Sequence, residues 1–173
     1  SLPVLLTCCP FVLFPDARLS TPALPVEEVD TAVRALWDDM LDTMYAMPGV
    51  GLAAPQIGVG LRVAVLDCST AADTPIRLAN PEILHASEIL RDHEEASPNI
   101  PGLSAKVTRP RAVTVRFLNA EGEVKEQDFV GLWATSVQHQ IDHLDGKLFV
   151  DRLGPVKRKM LLAKHTKRMK RAG

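Results

Sequence analysis

Two histidines four residues apart, in Gln138-His139-Gln140-Ile141-Asp142-His143, constrain this chain more than any other feature. The apolar spacing from Leu132 to Leu144 is helical, and residues i and i+4 of a helix project from one face, where two imidazoles can chelate one metal ion. On an ideal wheel Leu132, Ser136, His139 and His143 share a side, while Trp133, Val137, Ile141 and Leu144 form an adjoining apolar stripe. Gln140 lies between the two. A carboxylate at that place would serve as general acid and base in a metallohydrolase; an amide can orient a water but cannot take its proton at neutral pH. Two histidines packed on a helix without metal are the competing explanation of this spacing.

The remaining elements suit one domain around such a helix. With 173 residues, 46% hydrophobic and 24% charged, the chain has the composition of a single globular unit with a substantial core. Val29, Val33, Leu36, Trp37, Met40, Leu41 and Met44 recur at helical spacing until Pro48 and Gly49. A core face explains this stripe better than a cofactor-binding face. Arg62 to Asp67 reads as a strand, and Ala112 to Leu118 with Val124 to Val130 as a hairpin around Asn119 to Gly122. Pro155 suits the first turn of a last helix. No repeat or low-complexity linker divides residues 1–173, so the expectation is a single α+β domain.

Two further segments are open to more than one explanation. In Gly49-Val50-Gly51-Leu52-Ala53-Ala54-Pro55-Gln56-Ile57-Gly58, small residues permit unusual dihedrals and close backbone approach to a ligand. The segment fails the nucleotide-loop templates, and a tight turn or a substrate-binding edge would use it equally well. From Lys157 to Arg171 the chain holds eight of its 20 Lys and Arg residues, as a solvated helix with an apolar edge or a nucleic-acid contact would.

The net charge of -1 gives no overall attraction to DNA or to an acidic membrane. The apolar run from Leu2 to Phe14 is broken by Pro3 and Pro10 and is too short to span a bilayer, so no membrane anchor is expected. Cys8, Cys9 and Cys68 form an odd set without metal-ligand spacing, which fits a reducing compartment. The chain begins at Ser1, as a processed or trimmed chain would, so a targeting peptide would not be visible in it. Without an exposed heptad or a long edge strand, a monomer is expected.

Taken together, these residues resemble the peptide deformylase family. Gly49 to Gln56 is similar to its first motif, and Gln138-His139-x-x-Asp142-His143-Leu144-Asp145-Gly146 to its third, QHExDHLDG. Phe14-Pro15-Asp16-Ala17-Arg18-Leu19, Asn80-Pro81-Glu82, Val107-Thr108-Arg109-Pro110 and Leu148-Phe149-Val150-Asp151-Arg152-Leu153 also look like family segments. The second motif, EGCLS followed by an apolar residue and Pro-Gly, aligns without gaps through Glu95-Ala96-Ser97-Pro98-Asn99-Ile100 to Pro101-Gly102.

The resemblance implies antiparallel or mixed sheets around a central metal-site helix, flanked by N-terminal and C-terminal helices. It also implies hydrolysis of the formyl group from N-formylmethionyl nascent peptides by a divalent metal, ferrous iron or zinc, nickel or cobalt in its place. His139 and His143 take the positions of two metal ligands. Ser97 stands where the family has its cysteine ligand, and a hydroxyl is a poorer ligand than a thiolate. Cys68 lies outside the motif and fits inert packing better than a substitute ligand.

Gln56 keeps the position of an oxyanion-binding side chain. Pro98 follows the ligand where a backbone N–H would assist it, and proline has none. Gln140 replaces the glutamate that shuttles the proton. By the same resemblance Gly49, Val50 and Gly51 edge the peptide site, and Leu132 and Ser136 line the methionine pocket. The basic segment 157–173 would meet ribosomal RNA, in a bacterial cytosol, a mitochondrion or a plastid. The expected function is a weakened or absent deformylase activity, or else peptide or protein binding in a retained groove without catalysis.

Overall fold

The computed structural model describes residues 10–173, so Cys8, Cys9 and the start of the apolar run lie outside the described residues. The architecture is α+β. Five strands, β1 (Gly51–Ala53), β2 (Val63–Leu66), β3 (Ile76–Ala86), β6 (Ala112–Leu118) and β7 (Val124–Val130), form an antiparallel sheet in the order β1-β2-β3-β6-β7. A separate antiparallel pair joins β4 (Leu90–Ala96) to β5 (Ser104–Pro110). The expected hairpin keeps its bounds: Ala112 pairs with Val130 and Leu118 with Val124, and Gly122 closes the turn at φ 78°.

The N-terminal helix, Thr31–Ala46, starts where the Asp30 side chain accepts the Val33 N–H at 2.9 Å. Its stripe of Val33, Trp37, Met40, Leu41 and Met44 is buried against β1 and β2, and Trp37 Nε1 donates to Leu78 O. That stripe is core, as expected. The histidine helix, Leu132–Leu144, is buried from Ala134 onward. Val137 and Ile141 pack on the sheet residues Val115, Phe117 and Phe129, which leaves its histidine face toward the β4-β5 pair. The C-terminal helix, Pro155–Ala172, starts with proline at its first turn and covers a third cluster of Val12, Leu19, Ile100 and Phe149 with Leu161 and Leu162. No helix among the described residues is long and apolar enough to cross a membrane.

One clasp holds the groove edge. Asp67 N donates to Val50 O, and the Asp67 carboxylate accepts from Ser69, Thr74 and the Tyr45 hydroxyl at 2.6 Å. Burial, and then the hydrogen bond to Asp67, pushes the Tyr45 phenol up from 10 to about 12. Across that window the folded chain keeps a proton the unfolded chain gives up, so stability falls as pH rises from about 10 to about 12. Unfolding titrations over that range are expected to show a decline that Tyr45→Phe flattens.

Candidate functional site

The helix brings the two histidines together as their spacing requires. His139 Nε2 and His143 Nε2 lie 3.2 Å apart, a separation compatible with two ligands on one ion as well as with a hydrogen bond between the rings. His139 Nδ1 donates to Glu95 Oε1 at 2.8 Å, which assigns the Nδ1 proton and leaves the Nε2 lone pair facing His143. Burial first, then the neighbouring His139 and Arg109, hold His143 well below the usual imidazole range, so it stays neutral. Its Nδ1 has no partner among the described residues.

Behind the pair runs a buried ionic chain. Arg109 grips Glu95 with Nε and Nη2 at 2.6 and 2.9 Å and reaches Asp142 Oδ2 with Nη1 at 2.8 Å. Arg152 closes on Asp142 from the outside, at 3.0 and 2.6 Å. Burial opposes ionisation of Glu95, but the hydrogen bonds from His139 and Arg109 outweigh it and hold the carboxyl down at about 2. The chain therefore fixes one imidazole through an ionised carboxylate. Arg109, Glu95, Asp142 and Arg152 fall in family-like segments, but nothing in their spacing predicts that they meet.

Ser97 and Gln56 come together, on a residue that sequence reading passes over. Gln56, at the end of a short 3-10 turn, accepts from Ala53 N–H through Oε1. Its Nε2 donates to Asn99 Oδ1 at 2.8 Å and, more loosely, to Ser97 Oγ at 3.4 Å. The Ser97 hydroxyl donates to the same Asn99 Oδ1 at 2.9 Å and receives the Asn99 N–H at 3.3 Å. The Gln56 amide nitrogen and the Ser97 hydroxyl thus both donate to Asn99 Oδ1, and Ser97 Oγ also receives the Asn99 N–H.

These residues border a groove of about 620 Å³. Gly49, Val50 and Gly51 form one edge, Ser97 and Pro98 another, and Leu132, Ser136, His139 and Gln140 its wall. His143 sits deeper, outside the lining and 1% exposed. Ser136 Oγ donates to Val50 O, tying the helix to the groove edge. A Cβ at Gly51 would meet Gln140 Nε2 and Ser136 Oγ, so a larger residue there would require both side chains to shift. Gln140 Oε1 is buried without a partner among the described residues. Cys68 lies outside this lining, and burial pushes its thiol up to about 11, so it offers no thiolate at neutral pH.

The family model for polypeptide deformylase matches residues 8–159. The chain belongs to the polypeptide deformylase family. Among curated deformylases, one of Teredinibacter turnerae is 48% identical over 161 residues, covering 93% of this chain and 96% of that protein. One of Rhizobium meliloti is 42% identical, covering 97% and 98%. The solved deformylase of Legionella pneumophila superposes with a TM-score of 0.86 at 42% identity over 94% of this chain and 96% of that one. That of Ehrlichia chaffeensis reaches 0.89 at 32% identity, covering 95% and 98%. Deformylases are metal-dependent and act on formylated nascent peptides, and the expected fold stands.

Proposed function

We propose that this deformylase-family chain keeps the groove for N-formylmethionyl peptides and hydrolyses the formyl group weakly or not at all. The observation that carries the reading is the closed set of hydrogen bonds joining Gln56, Ser97 and Asn99. A catalytic ion in this family takes its third protein ligand from the position of Ser97. Here that position holds a neutral hydroxyl in place of a thiolate, with its proton directed to Asn99 Oδ1, so the anionic donor is missing and the two imidazoles do not make up the family's metal centre. Among the described residues no group of three His, Cys, Asp or Glu side chains converges as a metal site.

The other losses fall on separate parts of the chemistry. Gln56 Nε2 is drawn to Asn99 Oδ1, and Pro98 has no N–H, so the backbone donor to a developing oxyanion is lost and the side-chain donor is held by a competing acceptor. Gln140 cannot carry a proton from water to the leaving amine. What remains suited to a peptide is the groove: the Gly49 to Gly51 edge for backbone, and the wall at Leu132 and Ser136 for a methionine side chain. That retained groove supports a second reading, in which the chain binds a peptide terminus or a protein without catalysis. Metal content and formyl-Met peptide turnover of the purified chain test the first reading. Peptide binding without any turnover favours the second.

The setting proposed is the reducing interior of a bacterium or an organelle, with the chain acting as a monomer beside the ribosome. The C-terminal helix supports ribosomal contact by its exposed cations, Lys157, Lys159, Lys164 and Lys167 among them. Deleting residues 157–173 would test this poorly, because His165 is fully buried and bonds Phe14 O at 2.7 Å. Changing those four lysines to glutamate should instead abolish a salt-sensitive ribosome association and leave the fold intact, as sedimentation with ribosomes would show. Unchanged co-sedimentation would count against the contact.

A further inference from the structure

The register that puts Ser97 at the family's cysteine also puts Asn99 at the last serine of the same motif. Asn99 is fully buried, and every polar group it has is used. Its Oδ1 takes the Gln56 and Ser97 donors, its Nδ2 donates to Val12 O and to Gln56 O, its N–H reaches Ser97 Oγ, and its carbonyl receives the Phe14 N–H. A serine at this position has one hydroxyl on one carbon. It cannot span the carboxamide's four side-chain bonds, so the two donors gathered on Oδ1 would be released.

We propose that Asn99 is a positioning residue that holds this centre closed, engaging residue 97 and Gln56 at once and so withholding a metal ligand and an oxyanion donor together. This rests on the reading of an altered centre given above. It locates the closure in the carboxamide of residue 99 as well as in the missing thiolate. A cysteine placed at 97 would inherit the same neighbour, because the Asn99 N–H stays in place to donate to its sulfur and Asn99 Oδ1 to accept its thiol proton.

Zinc titration of the full chain tests this. Ser97→Cys alone should bind zinc weakly, and adding Asn99→Ser should tighten it about 10–100-fold, the range of effects seen for groups that orient metal ligands. Ser97→Cys with Asn99→Ala should show the same direction. Both second changes remove buried hydrogen bonds and should lower the unfolding midpoint, so a purely structural role for Asn99 predicts weaker zinc binding with lower stability. Tighter binding with lower stability is the signature of the proposal. The single variant Ser97→Cys, a small change that keeps the network's other members, decides the matter even if the double variants fold poorly. Stoichiometric, tight zinc on it alone overturns the role of Asn99. Stoichiometric metal on the unmodified chain would instead overturn the functional reading itself.

Discussion

Replacing Arg109 by methionine is expected to cost the fold about 3–5 kcal/mol. Arg109 is 3% exposed and stands between two carboxylates exposed 3% and 6%. Its removal leaves Glu95 with His139 alone and Asp142 with Arg152 alone, each carrying a buried charge that its remaining partner does not fully compensate. Arg152, by contrast, is 47% exposed, and its replacement by methionine is expected to cost about 1 kcal/mol or less because solvent screens the pair. Denaturant unfolding of the two variants measures the difference. Equal losses would mean that the chain of charges contributes no more than a surface pair.

Restoring the family residues together, as Ser97→Cys, Pro98→Leu, Asn99→Ser and Gln140→Glu, is expected to raise formyl-Met peptide turnover by at least about a hundredfold. One oxyanion donor is typically worth about a hundredfold to a thousandfold, and general acid-base catalysis about a hundredfold to ten-thousandfold. The terms do not multiply, since residues acting as a unit lose most of their effect when any one is missing. That same cooperativity predicts that each single reversion gains little, and steady-state kinetics of the four single variants and the combined one would show it. Metal regained without turnover would place a further obstacle in the groove.

The parts of this fold governed by local chemistry were legible in the sequence. The stripe ending in Met44, the 112–130 hairpin and the helix carrying His139 and His143 all follow from apolar period, breakers and turn residues, and they lie where that reasoning places them. The strand expected over 62–67 is shorter, Val63–Leu66. The long β3 is not legible from its pattern, because Pro81 interrupts it after Asn80, at φ 50°, and the ladder shifts register before Glu82 and again after Ile83. In β4, Arg91 to Glu95 is a run of polar residues, four of them charged, which hides a strand whose Glu95 points inward.

The site was legible as far as its motifs reach. Gln56, Ser97, Pro98, Gln140 and the two histidines gather around one groove, with His143 beneath its surface. The partners that orient them were not legible. Glu95 meets Arg109 across 14 positions and Arg109 meets Asp142 across 33, distances over which spacing carries no information about contact. Asn99 stands two residues from Ser97, but its role depends on Gln56 arriving from 43 residues away.

The central claim is that the closed bonds of Gln56, Ser97 and Asn99 leave this deformylase-family centre without a working metal site. It is tested most directly by preparing the unmodified chain with iron, and separately with zinc, and measuring metal content and formyl-Met peptide turnover on the same samples. The account predicts metal well below one ion per chain and turnover at least about a hundredfold below that of the Legionella relative assayed beside it. One ion per chain with turnover equal to that relative's would contradict it.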